Sequence, residues 1–494
     1  MRPPNASRLW HRKPLPCLFL VFLLVSFPVS CTLEGGDAFD VVIAEGRVMD
    51  PESGLDAIRW VGIRDGRIVA ISDRPLDGGE NALILDAAGH VVAPGFIDLH
   101  AHGQDDENYR LFALNGVTSA LEMEVGTANV AQWYAEREGR ALLNHGVTVG
   151  HLGVRMAIFD DPGDFLPSGA GGYTVADQAE IDQIRQRIRT GLEEGALGIG
   201  FGLQYSPGAT RWEVLELFRE AAAHRAPAFI HVRGFGTTEP GGTIEAFVEA
   251  LGAAAITGAP LHLAHLNSMS LSETPRTLRI LQEAQARGMD VTTEAYPYSA
   301  GLTSIQSALL DQYEGAPDSV LIRLQWPVTG ERLNQESFRR YRSQGGSVVL
   351  HLNTPEMEAL AIESPLTAIA SDGGLRDGVG HPRTAGTYAR VLGHYVRELE
   401  TLDLMEALRK MSLIPAERLQ ERSPAFRNKA RIQVGADADI AIFDPATVAD
   451  RATYSEPGLP AVGFRHVLVN GVPVVRDGSV VEGVMPGLGL KGGR

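Results

Sequence analysis

The chain has 494 residues, 44% hydrophobic and 21% charged, a balance that excludes a disordered or polytopic membrane protein and leaves room for two or three domains. Sixty-one acidic against 44 basic residues give a formal charge of −17, which argues against a broad electrostatic grip on nucleic acid. The two cysteines, Cys17 and Cys31, exclude a disulfide scaffold, and only four basic residues are lysines: Lys13, Lys410, Lys429 and Lys491.

Residues 1–30 carry Arg2, Arg8, Arg12 and Lys13 and no acid, followed by an apolar run from Cys17 to Val25 and then Ser26 to Cys31. A basic start, a short apolar stretch and a small residue before the cut predict a secretory signal, because the run is too short to span about 30 Å of bilayer. Ser30-Cys31 resembles a bacterial lipobox with Pro28 where leucine is usual, so the expected destination is the periplasm, free or anchored through a lipid on Cys31. Removal of the signal makes the mature chain more acidic by four charges.

Residues 39–94 read as short strands punctuated by turns such as Asp65-Gly66, and the same grammar returns over 431–483 with Asn470-Gly471 and Asp477-Gly478. Two β segments at opposite ends predict one discontinuous β-sandwich. Between them, over 95–430, apolar strands alternate with amphipathic helices. The expected strands are Gly95–His100, Ser119–Glu124, Val147–His151, Leu197–Leu203, Ala228–Arg233, Leu261–Leu266, Val291–Ala295 and Ala368–Asp372. Ile181, Ile184, Ile188 and Leu192 line one helix face, and Leu215, Phe218 and Ala222 another. Eight such units, with no G-x-G-x-x-G turn after the first strand, predict a (β/α)8 TIM-like barrel rather than a doubly wound sheet. Residues 302–365 are too long for a single loop and predict an insertion over the barrel mouth.

Active sites of such barrels lie at the C-terminal ends of the strands, so polar residues closing apolar strands are the candidates. Strand one closes with Asp98-Leu99-His100-Ala101-His102, whose two imidazoles point the same way on an extended chain and suit one metal ion. Strand five closes in His231, strand six in His265 and strand eight in Ser371-Asp372-Gly373. A lone histidine on an apolar strand is ordinarily a satisfied core residue; four with an aspartate at matching strand ends form a candidate metal site. His262 is expected to alternate with His265 and pack outward. His224, His351, His394 and His466 receive no role.

The run PGFIDLHAH at 94–102, His231, His265, SDGG at 371–374 and the flanking β segments resemble the amidohydrolase superfamily. GLQYSPG at 202–208, EAYPYSAGLT at 294–303, HPRTAGTYARVLGHYVRE at 381–398, ADADIAIFDP at 436–445 and VLVNG at 467–471 are similar to its D-aminoacylase group, and the likeness covers about residues 39–480. It implies zinc, one or two ions per chain with manganese or cobalt as alternatives, held by His100 and His102 on one side and His231 and His265 on the other. Asp372 would take a proton from a metal-activated water and return it to the leaving amine, its basicity raised by partial burial. The family bridges its metals with a carboxylated lysine, a glutamate or a strand-two cysteine. With no lysine between 14 and 409 and no cysteine after 31, a carboxylate remains: Glu124, with Glu122 as the alternate. Arg383 matches the arginine that grips a substrate carboxylate, Tyr205 and Tyr298 match its helpers, and Asn267 stands where the family has lysine. His151 and Arg155 also match, with a structural and a catalytic role both open.

The implied reaction is hydrolysis of an N-acyl-D-amino acid, a small-molecule partner. The alternatives are a cyclic amide or dipeptide hydrolase of hydantoinase, dihydroorotase or isoaspartyl-dipeptidase type and, from another class, a non-catalytic extracytoplasmic binding protein on the same scaffold. No oligomeric state is read from the chain.

Overall fold

The computed structural model describes residues 39–493; the signal segment and Cys31 lie outside them. The N-terminal β segment forms β1 (Val41–Asp50), β2 (Leu55–Arg64), β3 (Arg67–Ser72), β4 (Leu83–Asp86) and β5 (Val91–Pro94). The barrel strands follow as β6 (Phe96–Asp98), β7 (Val117–Thr127), β8 (Asn144–Gly150), β9 (Ile199–Gly202), β10 (Ala228–His231), β11 (Leu261–Leu263) and β12 (Val291–Ala295). After β13 (Gly301–Ser304), β14 (Leu324–Gln325) and β15 (Ser347–Leu350), the barrel resumes with β16 (Thr367–Ile369). A hairpin of β17 (Leu375–Arg376) and β18 (Val379–Gly380) precedes the C-terminal strands β19 (Ile440–Phe443), β20 (Phe464–Val469), β21 (Val472–Arg476) and β22 (Ser479–Val480).

β6 to β12 and β16 form one eight-stranded sheet whose neighbours pair in parallel. It is nearly closed: past the ladder ends, His102 N donates to Gly373 O at 2.7 Å and Gly373 N to His100 O at 3.3 Å, tying strand one to strand eight. Helices cover the outside. The helix Gln178–Glu193 begins with a capping box of Asp177 and Glu180 and buries Ile181, Ile184, Ile188 and Leu192 against the barrel, as the spacing predicts. The helix Thr243–Thr257 stops at Gly258, whose φ of 74° suits a residue without a Cβ. At the N-terminal end of the barrel Leu197, Phe229, Leu419, Phe426 and Leu490 share one apolar cluster and close the bottom, which leaves the opposite end for chemistry.

The two ends of the chain meet in one nine-stranded sheet, where β5 of the N-terminal part pairs antiparallel with β19 of the C-terminal part. The sheet folds over its own core of Val41, Ile43, Val61, Ile440 and Leu468. Asn470 and Gly471 turn the β20–β21 hairpin with φ of 49° and 79°, and Asp477 and Gly478 the next one with 49° and 76°, both in the left-handed region that such tight turns require. β13, β15 and β14 make a separate three-stranded sheet with its own apolar cluster, which includes Val125 and Tyr205 from the barrel mouth. The helix Pro355–Glu363, inside the range 302–365, buries Ala361 and Ile362 in the barrel's own core instead.

Candidate metal centre and its cavity

Every polar group gathered from a strand end lies at the C-terminal mouth: Glu124 and His231 within their strands, and His100, His102, His265 and Asp372 two to four residues beyond theirs. Asp98, the last residue of β6, organises the junction: its Oδ1 accepts from His100 N and Ser371 N, both at 3.0 Å. The backbone then departs from extended geometry. His265 has φ of 29° and Asp372 of 51°, conformations that are uncommon without glycine and are held here by the surrounding bonds.

Glu124 stands at the centre, 3% exposed. Its Oε2 lies 3.0 Å from His100 Nε2 and 3.3 Å from His102 Nε2, while its Oε1 lies 2.7 Å from His231 Nδ1 and 3.3 Å from His265 Nε2. Asp372 Oδ1 completes the first group at 3.5 Å from His100 Nε2 and 3.2 Å from His102 Nε2. His100, His102, Glu124 and Asp372 thus form one donor set, Glu124, His231 and His265 a second, and the carboxylate shared by both is Glu124. Glu122 lies elsewhere, with Oε2 accepting from His102 Nδ1 at 2.8 Å and Oε1 from Val125 N at 3.1 Å.

These donors fit a cation. Glu294 Oε1 holds His100 Nδ1 at 2.5 Å and Glu122 holds His102 Nδ1, so the Nδ1 protons are spoken for and each Nε2 presents a lone pair. Those two nitrogens face each other at 3.1 Å beside two carboxylate oxygens. Acceptors converging in this way repel unless a metal ion, or a proton, lies between them. The same excess of negative charge appears in the titration of the site. Burial would lower His100, yet Asp372, Glu294 and Glu124 together raise it well above the ordinary imidazole value.

Asp372 departs from expectation. Burial pushes its carboxyl up, but Arg383, with Nη2 2.8 Å from Oδ1, and the neighbouring imidazoles outweigh it and hold the group below the usual carboxylate range. Basicity raised by burial does not describe this aspartate as it stands. Arg383 is 2% exposed, lies over the Tyr296 ring at 4.7 Å, and leaves Nε and Nη1 buried without a partner.

The remaining candidates divide. Tyr205 is buried, its ring 4.7 Å from that of His231 and its hydroxyl accepting from Thr303 at 3.3 Å. Tyr298 lines the cavity, but its hydroxyl donates to Asp450 at 3.3 Å. Asn267 Nδ2 donates to Tyr296 O and Tyr298 O at 3.0 and 3.4 Å, so its amide serves the backbone while Oδ1 is buried without a partner. His151 and Arg155 both bond Glu213 at 2.7 Å, are fully buried and do not line the cavity; Arg155 also holds Gly171 O, at the base of the loop bearing Phe165. The Phe165 ring meets His102 edge-on at 5.1 Å. His262 corrects the outward assignment. It is 1% exposed and its Nε2 lies 3.1 Å from Glu294 Oε2, because β11 ends at Leu263 and strict alternation does not reach His265.

Asp98, Glu294 and Tyr296 were missed as functional residues. The rule that selected the histidines, a polar residue closing an apolar strand, applies equally to Asp98 on β6 and Glu294 on β12. Tyr296 had no signal beyond its place in the EAYPYS run.

The whole constellation opens into a cavity of about 1440 Å³, lined by His102, Glu124, His231, His265, Asp372 and Arg383 and walled by residues of the insertion. The family model of the amidohydrolase family matches residues 91–481. The chain is 31% identical to an N-acyl-D-glutamate deacylase of Alcaligenes xylosoxydans xylosoxydans, over 89% of this chain and 94% of the relative. It also resembles the crystal structure of an N-acyl-D-glutamate deacylase from Bordetella bronchiseptica complexed with zinc and a phosphonate inhibitor. There the TM-score is 0.76 and the identity 26%, over 92% of this chain and all of that one. A structure of a D-aminoacylase with a binuclear metal centre superposes with a TM-score of 0.77 at 26% identity, over the same shares.

Proposed function

The chain belongs to the amidohydrolase family, and from that premise we propose that it is a metal-dependent hydrolase removing the acyl group from N-acyl-D-amino acids. The observation that carries the reading is the pairing of two features: Glu124 shared by two donor sets, and Arg383 with two buried, unpaired nitrogens beside Asp372.

His100, His102, His231, His265 and Glu124 would hold the metal, with Asp372 beside the first pair of histidines. Mixed imidazole and carboxylate donors suit zinc, and manganese or cobalt fits the same set. When bound, such an ion supplies a water of lowered pKa and polarises the scissile carbonyl. Glu294 and Glu122 fix the tautomers of His100 and His102, so that Nε2 of each faces inward. Arg383 grips the α-carboxylate by a forked pair of hydrogen bonds and sets the amide over the metal nest. Asp372 accepts the proton of the attacking water, whose oxygen adds to the acyl carbon. As the C–N bond breaks, Asp372 delivers that proton to the amine nitrogen. Engaging the substrate draws Arg383 charge toward a second carboxylate, which relieves the hold it has on Asp372 in the free site.

Quantifying bound metal and measuring rates on paired N-acetyl D- and L-amino acids tests the reading. Metal at one or two equivalents and turnover of the D series are expected. Preference for the L series, or activity confined to cyclic amides, overturns it. The signal-like residues 1–30 and Ser30-Cys31 support an exported enzyme, periplasmic or lipid-anchored through Cys31. Labelled palmitate entering the wild-type chain but not Cys31→Ser would establish the anchor, and labelling of neither would rule it out.

A further inference from the structure

The charge and shape of the cavity bear on which N-acyl amino acid it takes. Among the described residues of its lining, the guanidinium that contacts the donor set is that of Arg383. The other arginines of the lining are engaged elsewhere: Arg376 pairs with Asp164 at 2.6 Å, three-quarters exposed, Arg140 is exposed, and Arg137, 19% exposed with Nε unpaired, donates Nη1 to Trp133 O at 2.8 Å and lies against that ring at 4.0 Å. Beside them the rim carries Asp105, Asp106, Glu107 and Glu136. A second carboxylate held beside the donor set would therefore find no cation there besides Arg383 and an acidic mouth outside, and burying it unpaired is costly. Asn267 adds to this, because the atom it leaves unpaired is an acceptor, Oδ1.

One wall sets apolar side chains among Thr303, Ser304, Gln306, Ser347 and Asn353. It starts at Val125, next to Glu124, and runs over Phe235, Leu302, Leu309, Leu350 and Leu352, most of them from the insertion. Its link to the metal nest is direct: Thr303 of β13 bonds Tyr205, whose ring packs on His231. With its open mouth included the cavity measures about 1440 Å³, more than an acetyl group and a short side chain fill.

We infer that the preferred substrate is an N-acyl amino acid with a single carboxylate and an extended apolar acyl chain, laid along the wall built by the insertion, and that dicarboxylic amino acids are rejected. The inference rests on the deacylase reading above. It separates this chain from the glutamate deacylases it resembles.

The test compares kcat/KM of the metal-loaded enzyme on N-acetyl-D-leucine, N-octanoyl-D-leucine and N-acetyl-D-glutamate, below micelle-forming concentrations. The octanoyl substrate is expected to exceed the acetyl one by about tenfold or more, since each buried methylene favours binding. N-acetyl-D-glutamate is expected to fall about 100-fold below N-acetyl-D-leucine. Glutamate turned over as well as leucine, or no gain with chain length, overturns the inference while leaving the deacylase reading intact. If every linear substrate is inert and only cyclic imides open, the reading itself falls. Leu302→Glu and Leu352→Glu, at half-buried positions of the wall, are each expected to shrink the octanoyl-to-acetyl ratio several-fold. A ratio unchanged in both variants removes the wall from acyl binding.

Discussion

The two ends of the barrel bury polar groups in opposite ways. At the N-terminal end Asp439 accepts from Asn144 Nδ2 at 3.0 Å, Lys429 Nζ at 2.6 Å and Asn470 N at 2.7 Å. Arg422 spends its guanidinium on Leu192 O, Ala196 O and Gly493 O, and the tail pairs Leu488 and Leu490 with the backbone of His145. At the C-terminal end His265 Nδ1, Asn267 Oδ1, Arg383 Nε and Nη1 and His381 Nε2 are buried without partners, and two imidazole lone pairs face each other. Asn115 Nδ2, Ser119 Oγ and Arg418 Nε near the strand starts are also unpaired, yet they do not converge on one site, so the first end reads as structure and the gathered unpaired atoms at the mouth as the place for a ligand. Removing a partner at the first end should cost stability, and at the second should cost function.

The largest expected effect is on rate. Asp372→Asn, which keeps the shape of the side chain beside Arg383 but can no longer take up a proton, should lower kcat by about 10³-fold or more in a chain that still folds. A rate within tenfold of wild type would take Asp372 out of proton transfer. Next, Lys429→Met strands buried Asp439 without a cation, leaving Asp437 to Arg67 alone, and should destabilise the fold by about 3–5 kcal/mol in denaturant titration, while the folded fraction keeps its kcat. A parallel loss of kcat at saturating metal would show that the two ends are coupled.

Metal affinity grades the mouth itself. Glu124→Ala should abolish stoichiometric binding, whereas Glu122→Ala and Glu294→Ala, which act through His102 and His100, should weaken it about 10- to 100-fold by equilibrium dialysis. Equal losses in all three would contradict the distinct place of Glu124. The smallest effect is a pH dependence of the structural end. Burial pushes His145 and His466 down to about 4 from 6.5, so the unfolded chain takes up protons near pH 6.5 and the folded chain only near 4. The stability they confer is complete above pH 6.5 and is lost as the pH falls from 6.5 to 4. A melting curve series should show that decline, shallower in His145→Gln; a slope unaltered by the substitution would exclude His145 as a source.

Much of this was legible in the chain. All eight barrel strands follow from apolar runs between turn residues, and β12 matches its expected bounds, Val291–Ala295. Strands six and eight are shorter than read, ending at Leu263 and Ile369, because burial continues past the ladder while the backbone turns irregular to aim His265 and Asp372. Glu294 and Asp98 stood in the sequence with the same signature as the histidines, yet a carboxylate on a strand shows its importance only once its partner is known. The pairing of Arg383 with Asp372 joins a strand end to a helix N-terminus eleven residues later, a proximity no periodicity expresses.

Composition, set against the bridging ligands that the family resemblance implies, limited the choice. A carbamate needs a lysine and a thiolate a cysteine, and neither type occurs between residues 32 and 409, so only a carboxylate was left. Choosing between Glu122 and Glu124 needed the closed barrel. A period of two places both on one face of β7, but depth along the barrel axis decides which one reaches both histidine pairs. Glu124 lies at the level where His100, His102, His231 and His265 converge, and Glu122, one pleat lower in the strand, reaches only the back of His102.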